Sequence, residues 1–143
     1  MKRSYLIAIA ATILSIGPLQ AQNVAANSKP YHEEWVFHVR WGHQHEWWKI
    51  FQKYQIATLD REKQLGFVTS YRVEVPDLHA SDDARWDYRI VINYPNYEAS
   101  NHGDETEAKL FPDGATRERE EQKRWDLTVN HWDMPIEEID PHK

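Results

Sequence analysis

The apolar residues of this chain change their period at Gly42. Before it, the run Trp35-Val-Phe-His-Val-Arg-Trp41 alternates, with Trp35, Phe37, Val39 and Trp41 on one side of an extended strand and Val36, His38 and Arg40 on the other. After it, Trp47, Ile50, Phe51 and Tyr54, then Ala57 or Thr58, recur in steps of three and four, the stripe of a single helix between His43 and Lys63. Gly42 is the point of changeover.

The pattern then repeats in variant form. Phe67 to Val75 reads as a second strand stopped by Pro76, and Arg85 to Tyr94 as a third stopped by Pro95, with the polar loop Asp77 to Asp83 making a long hairpin between them. Residues 96–111 show only a short helix around Tyr97 to His102. Asp113 is placed to cap a helix of strong helix formers running to Leu127, and Thr128 to Met134 is a short last strand cut by Pro135. The order is strand, helix, strand, strand, helix, strand. This is an α+β, ferredoxin-like βαββαβ arrangement, a four-stranded antiparallel sheet with its helices on one face.

The amino end carries a different signal. Lys2 and Arg3 precede the apolar run Tyr5 to Leu14, and the small-residue stop Leu19-Gln-Ala21 follows, which reads as a secretory signal peptide over residues 1–21. The expected location is periplasmic or secreted, with no membrane attachment after cleavage. Residues 22–33 lack periodicity and read as a flexible leader, so the folded unit is expected to be a single domain over 34–143.

Cleavage would remove two of the 17 basic and none of the 23 acidic residues, so the remaining 122 residues carry a net charge of −8. Nucleic acid is disfavoured as a partner by that charge. With no cysteine in an exported chain, stability must rest on packing, with a partner subunit as an optional further source. All seven tryptophans and six of the seven tyrosines survive cleavage, so large rings dominate what is available to bury. No phosphate-binding glycine loop, nucleophilic cysteine or Gly-x-Ser-x-Gly elbow is present, which removes nucleotide binding and acyl-enzyme chemistry from consideration.

From Glu34 to about residue 138, the element order and the corners "RWGHQHEWW" and "NHWDMP" resemble the dimeric α/β-barrel superfamily. That group includes stress-responsive A/B-barrel proteins, cofactor-independent monooxygenases and small polyketide cyclases. The resemblance implies a homodimer whose sheets pack into a barrel, no cofactor, and a ligand pocket between each sheet and its own helices. Cyclases of the group use a histidine near the start of the first strand; Trp35 occupies that place here.

Two sets of residues could carry chemistry. The alternate faces of the strands bring His38 and Arg40, Ser70, Arg72 and Glu74, Asp87, Arg89 and Val91, and His131 and Asp133 into one polar layer if those faces coincide. Such a layer is either an ion-pair network at an interface or an acid/base site. In the second case His38 or His131 moves protons, Asp133 or Glu74 orients the imidazole, and Arg72 or Arg89 holds an anionic oxygen. On the helix-facing side Trp35, Phe37, Tyr71, Trp86, Tyr88, Trp132 and the stripe Trp47, Phe51 and Tyr54 form an aromatic lining, either core or a pocket for a small aromatic ligand.

The pair His43 and His45 beside Glu46 raises a metal site as an alternative. On a helix, residues two apart diverge by about 200°, so the stretch reads instead as a helix start from which His43 reaches toward the pocket. No metal is expected. The run Arg117 to Arg124 reads as a solvated helix face. Two functions stay open: a cofactor-independent acid/base enzyme (lyase, cyclase, isomerase or oxygenase) for a small aromatic or phenolic molecule, and a non-catalytic dimeric ligand-binding or stress-response protein.

Overall fold

The structure is a computed structural model that describes residues 29–78 and 80–143. The expected signal peptide and residues 22–28 of the expected leader lie outside the described residues. In chain order the elements are β1 (Tyr31–Val39), α1 (Gln44–Phe51), a π-helical turn (Gln52–Ile56), α2 (Ala57–Leu65), β2 (Ser70–Glu74) and β3 (Tyr88–Tyr94). A 3₁₀ turn (Glu98–His102), α3 (Gly103–Leu110), α4 (Gly114–Asp126) and β4 (Thr128–Ile136) complete it. The four strands form one antiparallel sheet in the order β2-β3-β1-β4, the ferredoxin-like order, with β1 and β3 central.

Local chemistry explains the boundaries. Gly42, at φ +82, turns the chain between β1 and α1, and His43 N–H closes that turn on the Arg40 carbonyl at 3.0 Å. Gly66, at φ +84, ends α2: its N–H donates to the Lys63 carbonyl, and Phe67 N–H to the Glu62 carbonyl at 2.9 Å. This paired closure needs a left-handed residue, and it fixes the backbone of Glu62. At α4 the Asp113 carboxylate accepts from Thr116 N–H at 3.1 Å, as the capping pattern predicts.

The core lies between the helices and one sheet face. Phe37, Val39, Trp47, Phe51, Leu59, Ile90, Ile92, Tyr94 and Leu127 are buried in it. Trp47, at 0% exposure, stacks on Phe51 at 4.8 Å and on Tyr88 at 5.0 Å between centroids.

Several expectations are corrected. β1 starts at Tyr31, ahead of the expected strand start at Trp35 and of the expected folded unit at Glu34, because His32 and Glu33 pair with β3 and β4 despite their polarity. The long helix is interrupted by a π turn, which adds a residue to its circuit. Residues 103–110 form a helix that the sequence does not announce, since its face toward α2 buries only Thr106. β4 continues through Pro135 to Ile136, which an edge strand tolerates.

The largest correction concerns the parity of β4. Its register with β1 sets Val36 opposite Trp132, Phe37 opposite His131 and Trp35 opposite Asp133. Paired residues on neighbouring strands share a face. His131 and Asp133 therefore lie on the helix-covered side, and Trp132 on the open side, the reverse of expectation. An edge strand's own alternation has two possible assignments, and a one-residue shift in pairing exchanges them.

Candidate functional site

On the open sheet face the expected polar layer exists in part. Arg72 Nε donates to Glu74 Oε1 at 2.7 Å, Glu74 Oε2 lies 3.6 Å from Arg89 Nη1, and Arg89 Nη2 donates to Glu34 Oε2 at 2.9 Å. The hydrogen bond from Arg72 is the main cause of the lowered Glu74 pKa. Four charges in alternating sign thus lock one another, which is a structural network with no free base in it. His38 Nε2 sits 3.7 Å from Asp82 Oδ1, and Arg40 leaves the sheet to donate to the Asp126 carbonyl at 3.0 Å. Asp87 caps the end of β1, accepting from Val39 N–H at 2.7 Å and pairing with Arg85 at 3.1 Å.

On the other face, His131 stacks on Phe37 at 5.9 Å and meets Trp125 edge to face at 4.6 Å. Asp133 stands beside it. Although the residue is exposed along the edge strand, atoms packed around its carboxyl raise its pKa, opposed by the charges of His131 and Arg124. The sheet thus separates His38 from His131.

Most of the aromatic set is core or packs against it, with Trp35 in a cavity wall and Trp132 on the open face, and the polar atoms of Trp47, Tyr88, Tyr54 and Tyr71 are met. Trp47 Nε1 donates to Thr128 Oγ1 at 2.8 Å, Tyr88 to the Gln44 carbonyl at 3.0 Å and Tyr54 to Glu120 Oε2 at 3.0 Å. Tyr71 donates to Asp60 at 2.6 Å, and burial with that contact pushes its phenol up to about 12. His43 precedes α1 and pairs through Nδ1 with Glu46 Oε2 at 3.2 Å, and Glu46 also meets Lys123 at 2.5 Å. No three His, Asp or Glu side chains among the described residues are grouped to hold a metal ion. Arg124 departs from the solvated-face expectation. It is buried over the rings of Phe37, Trp47, Phe51 and Trp125, with its Nε and Nη2 both donating to Glu121 Oε2.

Two side chains with a buried polar atom that lacks a partner among the described residues, Thr58 and Glu62, line a cavity of about 370 Å³ between the sheet and its helices. β1 contributes Glu33 and Trp35, β3 contributes Tyr94, the π turn and α2 contribute Gln55, Thr58, Leu59 and Glu62, and the 3₁₀ turn and α3 contribute Ser100, Asn101, Gly103, Asp104 and Glu107. Glu62 is 2% exposed, and its Oε1 has no hydrogen-bond partner among the described residues; Thr58 Oγ1, on the turn before, is in the same state. A β-carbon built on Gly103 would stand 4.0 Å from that Glu62 oxygen, so the start of α3 faces it directly.

The electrostatics follow from this placement. Burial, and secondarily the Glu33 carboxylate, push the Glu62 carboxyl up to about 7. Burial also raises the Tyr94 phenol, with help from Glu33 and Glu62, so it stays protonated at neutral pH. Glu33 accepts from Trp35 Nε1 at 3.2 Å. Glu107 accepts from Gln55 Nε2 at 3.1 Å and Arg117 Nη1 at 2.9 Å, yet its own burial still raises its pKa. Glu62, in contrast, is a buried carboxyl whose Oε1 has no hydrogen-bond partner among the described residues.

Sequence reasoning missed Glu33 and Glu62. Glu33 fell in the expected leader. Glu62 carried a partial signal: the buried positions Trp47, Phe51, Tyr54 and Thr58 advance in steps of four and three, and the next step of four lands on Glu62, although its charge argues for solvent.

No protein-family model matches this chain, and no curated protein matches it in sequence. Solved structures do resemble it. A NIPSNAP family protein from Agrobacterium tumefaciens str. C58 superposes with a TM-score of 0.52 at 18% identity, over 80% of this chain and 90% of that one. A dimeric ferredoxin-like protein from an uncultured marine organism superposes with a TM-score of 0.54 at 12% identity, over 78% and 93%. At such identities the likeness speaks for architecture, and this chain has the ferredoxin-like fold.

Proposed function

We propose that this chain is an exported, homodimeric enzyme that moves a proton on a small ring-bearing molecule held between its sheet and its helices, with Glu62 as the acid/base group and no cofactor. The observation that carries this reading is the buried Glu62 carboxyl in the cavity wall, whose Oε1 has no hydrogen-bond partner among the described residues. A group that titrates near neutrality can both take and return a proton at working pH, which is what general acid/base catalysis requires. The protonated Tyr94 phenol on the opposite wall supplies a donor for a substrate oxygen, and the Trp35 indole a surface for a ring.

Proton transfer is read from solvent deuterium entering a library of aryl ketones and phenols, followed by proton NMR in D₂O. The expected result is exchange that falls at least a hundredfold in Glu62→Gln and persists in His38→Ala and His131→Ala. Exchange that survives Glu62→Gln, or is lost in either histidine variant with the fold intact, assigns the chemistry elsewhere. Ligand binding without exchange supports the non-catalytic alternative.

Export is supported by the pattern of residues 1–21, and pairing of two copies by the open sheet face. There Trp132 and Met134 remain 36% and 43% exposed beside the charge network. A likeness to a protein described as dimeric points the same way. In sedimentation velocity the chain is expected to run as a dimer, and Trp132→Glu as a monomer; a monomeric wild type would remove the pairing.

A further inference from the structure

We propose that the molecule held in this cavity carries a protonated amine, seated against Glu62 with Glu33 and Asp104 around it. This rests on the reading of the cavity as the working site, and it names the substrate class. The wall contains four carboxylates, from Glu33, Glu62, Asp104 and Glu107, and no lysine, arginine or histidine. Among the described residues, only Glu107 of these is met by a basic side chain, the Arg117 guanidinium from outside the wall. Polar atoms without partners supply the second, independent observation. Glu62 Oε1 is an acceptor and Thr58 Oγ1 can accept, and both are buried in the wall that would meet an ammonium N–H.

A buried carboxylate lacking a partner is costly, and the cost is removed either by a proton or by a cation. A bound ammonium group offers both a charge and several N–H donors, so it satisfies what a neutral alcohol would satisfy only in part. The Trp35 ring, also in the wall, adds attraction for a cation placed over its face. An anionic ligand meets the Glu33 and Asp104 carboxylates, and Glu62 where it is ionised, and is rejected.

The consequence for chemistry is direct. In the empty cavity near neutral pH, Glu62 is divided between its acid and its carboxylate. An ammonium beside it favours the carboxylate, so a substrate of this class prepares its own base on arrival. Facing Glu62 are Glu33 and Tyr94 from the sheet and Asp104 and Glu107 from α3. Glu33 opposes the ionisation of Glu62, and the ligand's charge counters it.

The test uses three probes of one shape: 2-phenylethylamine, 2-phenylethanol and phenylacetate, titrated into the purified protein by calorimetry at pH 6 and pH 8. The amine is expected to bind at least tenfold more tightly than the alcohol at pH 8, and phenylacetate not to bind. Affinity for the amine should fall about tenfold from pH 8 to pH 6, because a carboxyl of pKa about 7 is then mostly protonated. Glu62→Gln should abolish both the preference and the pH dependence. Amide shifts in the wild type should centre on Thr58 and Gly103, which locates binding without any variant.

Equal affinity for alcohol and amine, shifts outside the cavity, or no amine binding would overturn the proposal. Loss of amine preference alone, with Glu62 titrating near 7 and exchange still dependent on it, sinks the substrate class and leaves the acid/base reading. A Glu62 midpoint near 4.5 sinks both.

Discussion

Trp47→Ala is expected to cost about 3–5 kcal/mol, the range for deleting a large buried aromatic side chain. The native state of a domain this size has only about 5–15 kcal/mol in hand. Three things are lost at once. The indole is fully buried, it stacks on Phe51 and Tyr88, and it touches Phe37 with 4.8 Å between centroids. Its Nε1 also donates to Thr128 Oγ1, which in turn donates to the Arg124 carbonyl at 3.0 Å, so the same side chain ties α1 to the junction of α4 and β4. Urea denaturation followed by tryptophan fluorescence and circular dichroism measures the loss. Trp47→Phe keeps most of the ring contact and gives up the hydrogen bond, so it should cost a fraction of the alanine change. A loss under about 1 kcal/mol for Trp47→Ala would mean that the ring stack is not the centre of this core.

Glu62→Gln should stabilise the protein at pH 8 by about 2–3 kcal/mol and do little at pH 5. The sign follows from where the proton sits. The folded-state pKa is raised from its ordinary value to about 7, so between roughly pH 4.5 and 7 the folded protein holds a proton that the unfolded chain has released. Stability contributed by this residue is therefore full below the unfolded pKa and is lost as pH rises through the folded one. An amide of the same shape has no charge to desolvate, and because Glu62 Oε1 has no hydrogen bond among the described residues, none is broken. Urea midpoints at the two pH values decide it. An equal change at pH 5 and pH 8 would show that burial of the charge is not the cause. On the proposed acid/base role, a substitution that raises stability while removing proton exchange would mark a residue kept for chemistry.

Much of the fold was legible because it depends on periodicity. The alternation in β1, the stripe after Gly42, the Asp113 cap and the proline-bounded hairpin each reflect a local rule, and their order specifies the sheet. Parity in β4 was not legible, because its faces are assigned by pairing with β1, and His131 and Asp133 moved to the covered side for that reason. The ion pairs of Arg72, Glu74 and Arg89 were foreseeable from alternation on two neighbouring strands. The cavity was not. It is assembled from the end of a strand mistaken for leader, a helix position whose acidic side chain argues for solvent, and a helix without an apolar stripe. Burial of Glu62 is decided by what packs over it, and that packing comes from the stretch around Gly103, far along the chain.

The two outer strands also bear on how this chain avoids growing into fibres. β2 is five residues long and presents Arg72 and Glu74, and β4 carries Pro135 and a register shift near its start, opposite His38 and Val39. Neither rim offers an incoming chain a long, regular ladder of free amides, so end-to-end ribbon formation is discouraged. In the proposed pairing, contact between copies is left to the flat of the sheet, where association would close after one step.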